Sequence, residues 1–309
     1  MSEARPSAKV NLTLEVGVRR EDGYHALRSV FLRIGLADSL AVAQADAGER
    51  DSLTITGLPG CPVEGNLVLR AFELLRGSVA PGLPGLAATL DKQIPLGAGL
   101  GGGSSDGAAA LELAAAEWGI GQPPAQRAEL ALALGSDAPF FAAGASAALV
   151  EGRGEKVGSL PAPTGEVGLL LAISDTALST ADVFARHDDL AAETPAKRPT
   201  DALAAAFERG LSGPDLADLA EGLRDANDLW QAAVSLAPEL EARRSVLENA
   251  TGRPWLMTGS GATLFALFGS LAEAVEAGRA LDAGRPAVLA SVMLLATDLD
   301  HPDAAWRQE

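Results

Sequence analysis

A glycine-rich run at residues 95–106, Pro-Leu-Gly-Ala-Gly-Leu-Gly-Gly-Gly-Ser-Ser-Asp, dominates the sequence of this 309-residue chain. Five glycines within seven residues allow positive φ angles and let the backbone approach a ligand closely, since no Cβ intervenes. The run lies between a strand-like segment, 86–94, and an Ala-rich helical segment, 104–118. Consecutive N–H groups and the positive end of the following helix favour anions. The order of strand, glycine loop and helix therefore predicts a phosphate-binding loop.

This run does not satisfy the common phosphate-binding motifs. A Walker A loop requires Lys and then Ser or Thr after its last glycine, and no such pair follows. Gly97, Gly99 and Gly102 match the G-x-G-x-x-G pattern of dinucleotide-binding oxidoreductases. The acidic residue expected at the end of the next strand is missing, because the next segment, 124–134, is again helical. A different kind of phosphate loop is predicted, and a plain glycine-rich connector is the alternative.

Strand and helix patterns interleave along the whole chain. The strand patterns cover 9–16, 30–34, 38–44, 53–56, 86–94, 147–150, 167–173 and 287–296. The helical patterns cover 66–76, 104–118, 124–134, 202–209, 216–227, 238–250 and 272–281. Asn66 is the predicted N-cap of the first of these helices. This interleaving predicts an α+β (two-layer α/β) architecture with two lobes. The Pro/Gly cluster at 161–165 predicts the boundary between domains 1–163 and 164–309.

Two polar pairs in the first part of the chain are candidate functional residues. The segment 9–16 alternates strictly, so Lys9 and Asn11 share one face of the predicted strand. That face is either part of a site or an ordinary solvated strand face. Tyr24 and His25 follow Asp-Gly, and the ring with the imidazole could read a nucleobase or simply form a capped turn.

Two further candidates come later in the chain. Asp137 stands between a glycine-broken helix and a proline, where it could cap a turn or extend a carboxylate into a cleft. The run Thr-Gly-Ser-Gly at 258–261 is a second glycine hinge, which allows close approach of the backbone to another group.

The charge and composition exclude some classes of partner. The formal net charge is −17, whereas a nucleic-acid or anionic membrane surface requires a basic footprint. The chain carries one cysteine, Cys61, and no secretory signal pattern, and its longest apolar run, 287–296, is too short to span a bilayer. We therefore expect a cytoplasmic protein without nucleic-acid or membrane partners, either a monomer or a homodimer.

The order of these motifs resembles the GHMP superfamily, named for galactokinase, homoserine kinase, mevalonate kinase and phosphomevalonate kinase. The resemblance rests on the first strand at 7–12, the loop at 95–106 and the late run at 258–261. Within the superfamily, 22–25, 99–106 and 134–141 resemble the members that phosphorylate a cytidine-diphosphate-linked sugar alcohol in the non-mevalonate isoprenoid pathway. The resemblance implies a two-lobed GHMP-kinase fold, with an ATP-binding lobe and a substrate-binding lobe.

The resemblance also implies roles for individual residues. Lys9 and Asp137 would be the catalytic pair beside the attacking hydroxyl group. The ATP site would comprise Pro95, Leu96, Gly97, Ala98, Gly99, Leu100, Gly101, Gly102, Gly103, Ser104 and Ser105 at the phosphates, with Asn66, Leu67 and Lys92 near adenosine. The substrate site would comprise Asn11, Tyr24, His25, Val157, Thr180 and Phe184. Mg²⁺ is expected with ATP, and its ligands are not identified.

Other functions remain open on the same residues. The acceptor could be mevalonate, homoserine or a sugar, although the pair Tyr24 and His25 suits a nucleobase that those small acceptors lack. A dinucleotide-binding oxidoreductase and a non-catalytic nucleotide-binding protein on the same fold are the further alternatives.

Overall fold

The computed structural model describes residues 1–79, 82–176, 178–190, 199–284, 286–299 and 306–307. The strands are β1 (Ser2–Ala4), β2 (Ser7–Asn11), β3 (Glu15–Arg19), β4 (His25–Ala37), β5 (Ser39–Gln44), β6 (Ser52–Gly57), β7 (Leu86–Lys92), β8 (Ala147–Gly152), β9 (Lys156–Leu160), β10 (Gly168–Ser174), β11 (Leu256–Met257), β12 (Leu264–Phe268), β13 (Val292–Thr297) and β14 (Trp306–Arg307). The helices are α1 (Leu67–Val79), α2 (Gly102–Trp118), α3 (Pro124–Leu134), α4 (Ala138–Ala142), α5 (Thr180–Leu190), α6 (Thr200–Glu208), α7 (Gly213–Leu223), α8 (Trp230–Leu236), α9 (Glu239–Thr251) and α10 (Leu271–Ala283).

The strands form three sheets that are almost wholly antiparallel. The first has the order β1-β5-β7-β6, in which only β6 and β7 run parallel. The second has the order β2-β4-β8-β9, with β3 also paired to β4, and the third has the order β11-β12-β10-β13-β14. The predicted α+β class is confirmed. The dinucleotide-binding alternative is wrong, because that fold requires a parallel sheet with crossover helices.

The predicted single strand at 9–16 is wrong, because the chain forms two separate strands there, and both pair with β4. β2 ends at Asn11, Leu14 forms an isolated bridge to Asn227, and β3 begins at Glu15. The odd-numbered polar side chains are nevertheless buried, including Lys9 and Thr13. The solvated strand face that the alternation also allowed is therefore excluded.

The predicted strand at 287–296 is also wrong in its first half. A 3-10 turn occupies Ala287–Leu289, and the strand begins only at Val292. An apolar run of this length has no periodicity that separates a turn from a strand. Three helices, α4, α5 and α8, have no counterpart among the predicted elements.

The apolar faces of these elements form continuous cores. Helices α1 to α3 cover the first sheet around Phe72 and Leu90. Another core joins the second and third sheets and contains Val10, Phe207 and Phe265. Because this core draws on residues from both ends of the chain, it holds the two halves against each other. The boundary predicted at 163/164 lies between β9 and β10, and the division into two domains stays a prediction.

No helix in the described ranges is both long and apolar enough to cross a membrane.

Candidate active site

A cavity of about 650 Å³ lies where β2, β3 and β4 meet α5 and the two glycine turns. Several predicted site residues line it, namely Lys9, Asn11, Tyr24, His25, Gly99, Ser104, Asp137, Thr180 and Phe184. The tertiary structure thus brings residues from widely separated parts of the sequence to one cleft.

The glycine loop leads directly into the N-terminus of α2. The helix begins at Gly102, two residues earlier than predicted, and Gly101 precedes it with φ +72°. The loop is tied to the first strand, because the Lys9 amide donates to the Leu100 carbonyl at 2.9 Å. A Cβ at Gly101 would lie 3.1 Å from the Lys9 side chain and from the Phe141 ring. Both the positive φ and the close approach require glycine at this position.

Lys9 and Asp137 form an ion pair in the cleft. Lys9 Nζ lies 3.3 Å from Asp137 Oδ2 and donates to Asn11 Oδ1 at 2.7 Å, and it lies 4.8 Å from the centre of the Phe31 ring. Lys9 is buried, whereas the Asp137 side chain is 31% exposed. Asp137 precedes α4, but its side chain caps no N–H group of that helix. Of the two interpretations of Asp137, the carboxylate in a cleft is therefore the one that the structure supports.

Asn11 connects the first strand to the late glycine turn. Besides the Lys9 ammonium, its Oδ1 accepts hydrogen bonds from the Gly259 amide at 3.0 Å and the Thr258 hydroxyl at 3.2 Å. A Cβ at Gly259 would lie 3.3 Å from the Gly99 Cα atom. The group that this second glycine turn approaches is thus the first glycine loop, and Asn11 holds both beside Lys9.

The two aromatic candidates at the start of β4 have different partners. The His25 imidazole stacks on Phe184 with 5.2 Å between ring centres and 29° between planes, and its Nε2 lies 2.6 Å from Asp188 Oδ1. Tyr24 is 49% exposed, and the Arg153 guanidinium lies over its ring at 4.2 Å. The two side chains line one cavity but are held by different neighbours, since His25 stacks on Phe184 and Tyr24 lies under the Arg153 guanidinium.

Other predicted site residues do not line this cavity. Asn66 caps α1, since its Oδ1 accepts from the Val68 amide at 3.0 Å, which confirms the predicted N-cap. Leu67 packs against the first turns of α2, 3.8 Å from a Cβ placed at Gly103. Val157 packs on the cluster of Phe31, Phe140 and Phe141. Their assignment to adenosine or substrate stays a prediction.

Lys92 lies in a buried group of charges beneath the glycine loop. Its Nζ bonds to Asp38 and, at 2.8 Å, to Asp106. Burial opposes the charged form of Lys92, but the charges of Asp106 and Asp38 outweigh it and raise its pKa. Burial is also the main reason that the pKa of Asp106 rises to about 7. Asp38 further accepts from the Ile94 amide at 2.8 Å, so the group anchors both ends of the loop.

Three charged residues that line the cavity were absent from the predicted site: Arg19, Arg153 and Asp188. Asp188 could have been found, because Thr180, Phe184 and Asp188 recur every four residues and therefore share one helix face. Recognising this spacing requires the helix α5, which has no counterpart among the predicted elements.

The described residues contain no group of three or more His, Cys, Asp or Glu side chains that could hold a metal ion. This agrees with the behaviour of Mg²⁺, which usually binds through substrate phosphates, waters and one or two carboxylates. Asp137 and the hydroxyl group of Ser104 are oxygen donors in the cleft.

The α+β fold, the glycine loop and the Lys9–Asp137 pair are the features of a small-molecule kinase that uses ATP. The chain belongs to the GHMP kinase family. The model of the GHMP kinases N terminal domain matches residues 66–145, and the model of the GHMP kinases C terminal matches residues 203–286.

Named relatives lie within the same family. The chain is 41% identical over 269 residues to a 4-diphosphocytidyl-2-C-methyl-D-erythritol kinase of Pelotomaculum thermopropionicum, covering 86% of this chain and 89% of the relative. It is 40% identical over 277 residues to the protein of that name from Salinispora tropica, covering 87% and 84%.

Solved structures agree with this assignment. A crystal structure of 4-(cytidine 5'-diphospho)-2C-methyl-D-erythritol kinase superposes with a TM-score of 0.72 at 32% identity and covers 96% of this chain and 98% of its own. The L. major mevalonate kinase in complex with R-mevalonate gives a TM-score of 0.71 at 15% identity, covering 98% and 97%. That second likeness concerns the fold alone.

Proposed function

We propose that this kinase transfers the γ-phosphoryl group of ATP to the 2-hydroxyl group of 4-diphosphocytidyl-2-C-methyl-D-erythritol, a step of the non-mevalonate isoprenoid pathway. The observation that carries the proposal is the Lys9–Asp137 pair, which lies in one cleft with a glycine loop and an aromatic-imidazole pocket. The similarity to relatives of that name over most of the chain supports the substrate.

Phosphoryl transfer depends mainly on positioning and on stabilising charge, and the cleft offers groups for both. Asp137 accepts the proton of the attacking hydroxyl group or orients it, as the hydroxyl oxygen forms a bond to the γ-phosphorus and ADP leaves. Lys9 stabilises the charge on the transferring phosphoryl group. Asn11 holds the Lys9 ammonium in place at 2.7 Å.

The loop 95–105 and the N-terminus of α2 hold the ATP phosphates through backbone N–H groups. Asp137 and the Ser104 hydroxyl group are the oxygen donors that would hold Mg²⁺ together with the ATP phosphates, and the ion would neutralise the charge of the β- and γ-phosphates. Residues 1–163 form the ATP-binding domain, and residues 164–309 contribute α5 to the substrate pocket. The enzyme works in the cytoplasm as a monomer or a homodimer, without nucleic-acid partners.

The test is ADP release by the purified protein with Mg-ATP and each of three acceptors: 4-diphosphocytidyl-2-C-methyl-D-erythritol, mevalonate and homoserine. We expect turnover with the cytidine compound alone. Turnover with mevalonate or homoserine instead would keep the phosphate loop and remove the cytidine assignment. Absence of turnover with all three would favour a non-catalytic nucleotide-binding protein.

A substitution of Tyr24 tests the base pocket directly. Tyr24→Ala is expected to raise KM for the cytidine substrate at least tenfold and to leave KM for ATP within about twofold, because aromatic stacking on a base contributes roughly 1–3 kcal/mol. Tyr24→Phe keeps the ring and serves as the control. Equal rises in both KM values would make Tyr24 a structural residue only.

A further inference from the structure

The bond between His25 and Asp188 determines which imidazole nitrogen carries the proton. His25 Nε2 lies 2.6 Å from Asp188 Oδ1. An ionised carboxylate only accepts hydrogen bonds, so Nε2 carries the proton in this contact. In the neutral imidazole the other nitrogen, Nδ1, is then an acceptor. Among the described residues, Nδ1 has no hydrogen-bond partner, while His25 itself lines the cavity.

The ring has little freedom to turn. His25 is only 8% exposed, and the stacking on Phe184 fixes its plane. Asp188 lies one helical turn beyond Phe184 on α5, so a single helix face both supports the ring and orients it. The same face is tied to the late glycine turn, because the Thr180 and Ser260 hydroxyl groups lie 3.0 Å apart.

Cytosine and uracil differ in the group that would meet this nitrogen. Cytosine carries an exocyclic amine that donates hydrogen bonds, whereas uracil, like thymine, carries a carbonyl oxygen at the same position that accepts them. An imidazole Nδ1 lone pair attracts the amine and repels the carbonyl oxygen. To donate to uracil, His25 would have to move its proton to Nδ1, which would leave an Nε2 lone pair facing the Asp188 carboxylate.

We propose that Asp188 is a positioning residue that holds the proton of His25 on Nε2, so that Nδ1 selects cytosine over uracil in the substrate pocket. The proposal rests on the proposed function, because it requires a cytidine nucleotide in this cleft. It assigns Asp188 a role in specificity that differs from simply fastening α5 to β4. If Asp188 only held α5 against β4, its removal would weaken the binding of every ligand of the pocket equally.

The test is the binding of CDP and UDP, measured by isothermal titration calorimetry at pH 8, well above the ordinary imidazole pKa of about 6.5. The wild-type protein is expected to bind CDP at least tenfold more tightly than UDP. Asp188→Ala is expected to reduce that ratio at least fivefold, because either tautomer then becomes accessible. Asp188→Asn should restore at most part of the ratio, because its amide oxygen can accept the Nε2 proton but its NH₂ group can also donate to Nε2 and leave the proton on Nδ1.

Asp189→Ala is the matched control, because Asp189 is the exposed neighbour, with 72% of its side chain accessible. It should leave the ratio unchanged, and thermal unfolding checks that each variant is folded. The ¹⁵N chemical shifts of the His25 ring, assigned with a His25→Gln variant, should place the proton of the wild-type protein on Nε2.

The outcomes separate this inference from the proposed function. If the wild-type protein prefers CDP and Asp188→Ala keeps the same ratio, or weakens both nucleotides equally, Asp188 has no role in base selection. A proton on Nδ1 of wild-type His25 would also overturn the inference. If the wild-type protein does not prefer CDP over UDP, the inference is overturned, whereas the proposed function is decided separately by turnover of the cytidine substrate.

Discussion

Replacing Lys92 with Met should destabilise the protein strongly, although Met has a similar length and is itself apolar. Lys92 is 1% exposed, Asp38 is 0% exposed and Asp106 is 2% exposed. The substitution leaves two buried carboxylates without their cation, and Asp106 Oδ1 already has no hydrogen-bond partner within the described ranges. Removing one partner of a buried ion pair costs about 3–5 kcal/mol.

The expected change is measurable by heat or by denaturant. For 309 residues, the entropy of unfolding is roughly 0.65 kcal/mol per kelvin, so a loss of this size lowers Tm by roughly 5–8 °C in a cooperative transition. The assay is scanning calorimetry together with urea unfolding at pH 7.5. Lys156→Met is the matched control, because Lys156 is an exposed lysine on β9 whose replacement should shift Tm by less than about 1 °C.

The same variant distinguishes a structural role of Lys92 from the adenosine contact that the resemblance implies. If the Lys92 ammonium group anchors the ends of the loop, the Lys92→Met variant is less stable than the wild type. Its KM for ATP then changes only through the displacement of the loop. A variant that unfolds within 2 °C of the wild type while its KM for ATP rises tenfold would refute the reasoning from the buried charges. Lys92 would then be a ligand of adenosine.

Three other changes test further parts of the site. Asp137→Asn should lower kcat about 10²–10⁴-fold with ATP binding retained, because the proton acceptor is lost, and near-normal turnover would remove Asp137 from that role. Gly101→Ala should lower both stability and kcat, since a Cβ there meets Lys9 at 3.1 Å, whereas Gly48→Ala, with positive φ but open space, should lower stability only. Burial raises the pKa of Asp106 to about 7, so its protonated form favours the folded state. The stabilisation of the folded state by the Asp106 proton is complete below about pH 4. It is lost as pH rises through 7, and in this window the free energy of unfolding falls by about 1.4 kcal/mol per pH unit. The difference in free energy of unfolding between wild type and Asp106→Asn should therefore fall between pH 5 and pH 8, and a constant difference in urea unfolding would contradict the assignment.

The sequence predicted correctly those helices that begin or end at a capping residue, a proline or a glycine. The helix at 124–134 is confirmed as α3, because a proline starts it and Gly135 follows it. The helix α1 follows Asn66, whose side chain caps it as predicted. Where apolar residues run without a period, as at 287–296, the prediction failed, since nothing in the neighbouring residues separates a turn from a strand.

The sequence by itself determined the glycine loop, the helix that follows it and the family, because each depends on residues adjacent in the chain. The resemblance implied that Lys9 and Asp137 act as a pair, and the tertiary structure places them 3.3 Å apart. Only the tertiary structure decided that Asp188 reaches His25 and that Lys92 lies between two buried carboxylates. His25 and Asp188 are 163 positions apart, and their contact exists only because α5 packs beside β4. Such pairs depend on how separate elements pack together, and local periodicity records which face of an element is apolar but not which element will cover it.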